Sequence, residues 1–222
     1  FRSAFMILTF NPGKLERQEF FKELINYLWI HDDVTLRQIK SHFTDYSKID
    51  RLLEEYINHG YILRQNKRYS LNLPFLSSLD GLALDDLVFI DSDSQIYQLL
   101  QKRKFVTNLD NQTNHLVFVE ETDFERNTLT LSNYFYKLTN GYPLSREQKK
   151  LYQLLGDVNS EYALKYMSSF ILKFLRKDSV KQKRTDIFIQ ALELLGYISL
   201  NQDTTYRLNA KLDVEALKIY LT

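Results

Sequence analysis

The sequence contains no cysteine. Disulfide frameworks, thiolate metal sites and thiol catalysis are therefore excluded. Proline and glycine are sparse, with three and six in 222 residues. That scarcity argues against long disordered linkers. No apolar run approaches the roughly 18 residues of a membrane-spanning helix, so no membrane partner is expected. Phe1 to Met6 lack the pattern of a secretory signal. Met6 is read as the natural start and residues 1–5 as a leftover of the expression vector. These features together favour a cytoplasmic protein. The chain also lacks a Gly-rich phosphate loop, a GxSxG turn and an HExxH helix. Its four histidines, His31, His42, His59 and His115, are scattered. An enzyme is the least supported class, and no catalytic residue, cofactor or metal is expected.

Apolar material is plentiful. The chain is 44% hydrophobic, with fifteen Phe and fifteen Tyr, enough for a substantial core. The length suits one large domain or two to three small ones, at roughly 100–200 residues each. The net charge of +1 decides nothing, but its distribution is uneven. Residues 34–72 carry seven Lys/Arg against four Asp/Glu, and residues 145–222 carry thirteen against nine. Between them, residues 73–144 carry five against ten. Two basic ends flank an acidic middle.

The stretch Val34–Asn72 organises the rest. Thr35 with Gln38 makes a capping box for a first helix. Thr44-Asp45-Tyr46-Ser47 is rich in turn residues. Ile49, Leu52, Leu53, Tyr56 and Ile57 then form one apolar helical face. Gly60 stands where a left-handed helix stop is expected. Tyr61-Ile62-Leu63 and Tyr69-Ser70-Leu71 read as two strands around a polar turn. A further helix, Leu15 to His31, precedes the stretch and supplies the first helix of the same core. This order resembles a winged helix-turn-helix over residues 15–72. The resemblance implies that the second helix of the pair enters a major groove, with Ser47, Lys48 and Arg51 near the bases. Arg37, Lys40, Arg64, Lys67 and Arg68 would then hold phosphates. Asp50, Glu54 and Glu55 on the same helix oppose that use. The fold serves equally as a scaffold.

The remaining motifs favour plain structural readings. His31-Asp32-Asp33 reads as a turn rather than a metal site. Asp91-Ser92-Asp93-Ser94 reads as a cap for a helix over Gln95–Lys102, because a calcium loop would need a later Gly and Glu. Leu84–Ile90 suits a helix or a buried strand. Glu120, Glu121, Asp123 and Glu125 read as a solvated acidic edge. Ser145 with Gln148 makes a second capping box, and Ser160–Lys177 carries the strongest helical face. Lys173, Arg176, Lys177, Lys181, Lys183 and Arg184 follow: six cations in twelve positions, opposed only by Asp178. This secondary basic patch suits phosphates, an acidic partner or plain solvent.

Asp186–Asn209 echoes Ser47–Asn72. Gly196-Tyr197-Ile198 matches Gly60-Tyr61-Ile62, and Tyr206 matches Tyr69. Two helix-plus-wing units in tandem are expected, the second with no cation in its wing, Asn201–Thr205. A last helix is expected over Asp213–Leu221. Val34–Lys40, Arg51–Leu63, Leu131–Lys137 and Leu154–Lys173 resemble a family of cytosolic proteins from streptococcal-type bacteria, a domain of unknown function numbered 1803. That resemblance implies a bacterial cytosolic setting and no particular activity.

The expected fold is mainly α with small β-hairpins. Its expected parts are a winged helix-turn-helix domain over 6–73, an acidic α+β middle segment over 74–144, and a helical, winged-helix-like C-terminal domain over 145–222. The expected function is non-enzymatic, DNA-binding or regulatory, with double-stranded DNA as partner. The alternative is a tandem winged-helix scaffold that binds a protein partner or forms a homodimer without touching DNA, similar in plan to chromosome-condensation accessory subunits.

Overall fold

A computed structural model describes residues 6–221; the expected vector leftover, residues 1–5, lies outside them. The chain divides into two compact units, 1–102 and 103–222. The segment 74–144 is thus shared between them.

In the first unit, β1 (Ile7–Phe10) is followed by α1 (Glu19–Ile30), β2 (Val34–Thr35), α2 (Leu36–His42) and α3 (Ile49–Asn58). Then come β3 (Ile62–Gln65), β4 (Arg68–Leu71), β5 (Val88–Asp91) and α4 (Gln95–Lys102). The centre of the unit is α1. Its Phe20, Phe21, Leu24, Ile25 and Leu28 are buried against Ile39 of α2, Leu53 and Tyr56 of α3, Ile62 and Tyr69. Ring edges lock the packing: Phe21 meets Tyr56 at 5.0 Å and Phe20 meets Phe43 at 5.3 Å. Strands β2, β4 and β3 form one antiparallel sheet in that order. A second sheet pairs β1 with β5, antiparallel. Asn26, buried within α1, anchors β1 by accepting from the backbone N–H groups of Met6 and Ile7 at 2.8 and 2.9 Å.

The second unit opens with β6 (Phe105–Leu109) and β7 (Val117–Thr122). Helices α5 (Leu131–Asn140), α6 (Arg146–Leu155) and α7 (Ser160–Ile171) follow. A 3-10 turn over Leu172–Leu175 leads to β8 (Ser179–Lys181), α8 (Ile187–Leu194), β9 (Ile198–Leu200) and β10 (Thr205–Leu208). Strands β11 (Lys211–Asp213) and β12 (Lys218–Tyr220) end the chain. One sheet runs β8-β10-β9; the other runs β11-β12-β7-β6, with β12 parallel to β7. The core draws on α5 to α8 and both sheets, including Tyr134, Leu151, Met167, Leu192, Tyr197 and Ile219.

The expectation of a mainly α chain is corrected: 38% of the described residues are helical, the 3-10 turn included, and 21% are strand, with eight α-helices and four sheets among them. The C-terminal part, expected as helical and winged-helix-like, carries the five strands β8 to β12 beside its helices. The helix expected over Asp213–Leu221 is a strand, a turn and a strand. Asp213 Oδ1 accepts from Ala216 N–H at 3.0 Å, and Leu217 holds φ 52, which interrupts any helix. Ile219 is fully buried because β12 pairs with β7.

Ser47–Asn72 and Asp186–Asn209 share local bonds. Gly60 and Gly196 both hold positive φ, 78° and 87°, where a side chain is strained. Tyr61 N–H donates to Tyr56 C=O, and Tyr197 N–H to Leu192 C=O. Asn72 N–H donates to Tyr61 C=O and Asn209 N–H to Tyr197 C=O, both at 2.8 Å. The outer strands β2 and β8 pair with β4 and β10 alike. The two stretches differ ahead of the shared helix: α2 stands between β2 and α3, whereas β8 runs to α8 without a helix.

Candidate nucleic-acid interface

The eight N-terminal residues expected to touch DNA occupy three elements. Arg37 and Lys40 lie on α2, Ser47, Lys48 and Arg51 at the start of α3, and Arg64, Lys67 and Arg68 on the β3–β4 hairpin; all eight are exposed. Local backbone positions some of them. Lys48 takes the left-handed conformation at the head of α3, φ 60. Asn66 and Lys67 are both left-handed, which makes the two-residue turn that matches strand twist. Lys67 therefore sits at the hairpin tip.

The cations do not act alike. Lys40 Nζ lies 2.6 Å from Asp50 Oδ2, joining α2 to the first turn of α3. Arg64 pairs with Glu54, joining the hairpin to the middle of α3; that carboxylate holds the guanidinium pKa above its ordinary value. Arg68 donates to the Asp33 carbonyl at 3.1 Å. Arg37, Lys48, Arg51 and Lys67 take part in no ion pair among the described residues. Asp50 and Glu54 are one turn apart on the exposed side of α3. The helix that would enter a groove thus presents two acids, each already holding a cation, beside one free arginine. Sequence reading missed these pairs, because they join separate elements and follow no period.

The secondary patch is divided. Lys173, Arg176, Lys177 and Lys181 line one concavity; Lys183 and Arg184 are exposed in the stretch that leads to α8 and do not line it. The exposed residues of α8 are Ile187, Gln190 and Glu193, with no cation among them.

Other sequence candidates have structural duties. Ser94 caps α4, its Oγ accepting from Tyr97 N–H at 3.2 Å. The expected acidic edge is corrected at Glu120, which is buried. Its carboxylate accepts from Leu131 and Ser132 N–H, both at 2.9 Å, at the start of α5, and from Tyr197 O–H at 3.2 Å. Burial raises its pKa above the ordinary carboxylate value, and the three bonds oppose that rise. Asp123 accepts from Asn127 N–H and Thr128 N–H and so shapes a loop. Among the described residues no group of three or more His, Asp or Glu is arranged to hold a metal ion. No helix of the described residues is long and apolar enough to cross a membrane.

Residues 7–103 match a family model described as a domain of unknown function, DUF1803. The matched span follows the first compact unit closely. No curated protein and no solved structure matches the chain.

Proposed function

We propose that residues 15–72 are a winged helix-turn-helix and that the protein is a non-enzymatic, cytoplasmic DNA-binding or regulatory protein. The β2-β4-β3 sheet behind α1, α2 and α3 supports the motif. One observation carries the DNA reading. Four exposed cations without ion pairs, Arg37, Lys48, Arg51 and Lys67, stand on the first helix of the pair, the head of the second and the hairpin tip. Those are the three places from which this motif touches a duplex. Asp50 and Glu54 occupy the groove-facing side of α3, so contact runs mainly to phosphates and discriminates weakly between sequences. The binding is architectural rather than base-reading.

The test is fluorescence anisotropy of the full chain on labelled duplexes from about 50 to 200 mM salt. Replacing Arg37, Arg51 and Lys67 by alanine weakens binding about tenfold or more at low salt and flattens the salt dependence by about one log–log unit per cation. Replacing Asp50 and Glu54 by alanine releases Lys40 and Arg64 and tightens binding. An affinity indifferent to salt and to all five changes would refute the reading.

The Lys40–Asp50 and Arg64–Glu54 pairs favour a second reading: a tandem winged-helix scaffold that docks a protein or a second copy of itself. A self-neutralised face suits protein contact better than phosphate contact. On this reading the wild-type protein ignores DNA, and the Asp50 and Glu54 changes alter its sedimentation mass or partner capture instead.

A further inference from the structure

The end of α7 and the strand β8 enclose a concavity of about 680 Å³ that the N-terminal reading leaves without a role. Lys173, Arg176, Lys177 and Lys181 line it, over an apolar floor that includes Leu172 and Val180. Local structure explains the grouping. After Ile171 the backbone tightens into the 3-10 turn Leu172–Leu175. Lys173 lies within that turn and Arg176 directly after it, and both line the concavity. Lys177 follows, and Lys181 closes the far edge on β8, held by its pairing with Thr205.

No carboxylate lines this concavity. Asp178 is exposed and outside the lining. Asp203, two residues before Thr205, the β10 partner of Lys181, lies outside the lining; its carboxyl is held low first by hydrogen bonds from Thr205 and last by the charge of Lys181. Lys173 lies 3.5 Å from Gln182 Oε1 and 5.2 Å from the Phe170 ring centre, contacts that leave its charge unneutralised. None of the four cations forms an ion pair among the described residues. Like charges gathered without acids repel one another and give the fold nothing. A bound oxyanion reverses that cost. Arg176 supplies a planar fork for two oxygens and the lysines supply point charges.

We propose that this concavity is a second binding site for the phosphodiester backbone of a nucleic-acid strand, independent of the N-terminal module. A row of charges fits better than a single small anion. Lys183 and Arg184 follow Lys181 within three residues and are exposed, adding two cations close in sequence to the four that line the concavity. The floor of Leu172, Leu175 and Val180 gives sugar and base surfaces an apolar seat, which an acidic peptide does not need.

The experiment uses the full chain and fluorescence anisotropy on labelled single- and double-stranded DNA across salt, with tripolyphosphate and polyglutamate as alternative ligands. Lys173→Gln, Lys177→Gln and Lys181→Gln are combined in one variant. A control combines Lys149→Gln, Lys165→Gln and Lys211→Gln, which removes equal charge from exposed positions outside the concavity. The concavity variant is expected to bind DNA about tenfold or more weakly, with the log–log salt slope reduced by about one unit per lysine, while the control keeps the wild-type slope. Should the triple variant fail to fold by circular dichroism, Lys177→Gln alone must reduce the slope by about one unit. Equal losses in concavity variant and control overturn the proposal, as does no loss in either. So does tripolyphosphate binding without DNA binding, or polyglutamate bound as tightly as DNA. Loss only in the Arg37, Arg51 and Lys67 variant removes this site and keeps the N-terminal one; loss only in the concavity variant does the reverse.

Discussion

Glu120 is a carboxylate taken out of water to hold the start of α5. Three donors meet it, two backbone N–H groups and the Tyr197 hydroxyl. In sequence it stood among four acids and read as solvent-facing. Only the pairing of β7 with β6 and β12 turns it inward. Asn26 and Gln148 were hidden in the same way. Gln148 was legible as a capping-box partner, but not as a fully buried amide donating to the carbonyls of Arg126 and Thr128. Glu120→Gln should cost about 1–3 kcal/mol, because its amide must turn an N–H toward donors already present. The pH dependence has a definite sign. The folded-state pKa of Glu120 is raised, so the native state holds the proton more tightly than the unfolded chain does. Its contribution to stability is full below the ordinary carboxylate pKa and is lost as pH rises through the raised folded value. Glutamine does not titrate. The stability gap between wild type and Glu120→Gln should therefore narrow as pH rises through that window. Urea unfolding at a series of pH values measures it, and a gap that widens with pH contradicts the assignment.

Elements set by neighbouring residues were legible, and elements set by distant pairing were not. The Thr35–Gln38 capping box forms as read, with Thr35 N–H donating to Gln38 Oε1 at 2.8 Å and Gln38 N–H to Thr35 Oγ1 at 3.3 Å. The Ser145–Gln148 box forms likewise. The apolar spacing of α3 matches its buried residues, Ile49, Leu53 and Tyr56. Each signal lies within one or two turns of chain. Thr35→Ala should cost about 1 kcal/mol, seen as a lower urea midpoint for the first unit. An unchanged midpoint would mean that β2, whose Thr35 pairs with Arg68, holds the helix start without the cap. The C-terminal β12 shows the opposite case. The spacing of Val214, Ala216, Leu217 and Ile219 suits a helix, but Lys218–Tyr220 pair with β7, about a hundred residues earlier. A three-residue strand leaves too few alternations for the two-residue period to show. The helix read to Lys177 stops at Ile171, where the backbone tightens into the 3-10 turn Leu172–Leu175.

At the scale of the whole chain, each unit carries its own core. Among the described residues, the buried apolar cluster of the first draws on residues between Ile7 and Phe89, and that of the second on residues between Leu116 and Ile219. A fragment of residues 6–102 should therefore fold alone with a cooperative thermal transition, since a domain of about 100 residues can bury an adequate core. Circular dichroism melting checks this, and a fragment without a transition would show that the first core needs the second unit. The sequence by itself determined the capping boxes at Thr35 and Ser145, the helix–hairpin order of residues 34–72 and the positions of the basic clusters. These depend on contacts three or four residues apart, or on composition alone. Tertiary structure decided which strands pair, that Glu120 is buried, and which cations are free. Lys40 and Arg64 were indistinguishable from Arg37 and Arg51 until folding set Asp50 and Glu54 beside the first two. Charge is a property of the residue, but its neutralisation depends on distance, and only the folded chain sets distances between elements.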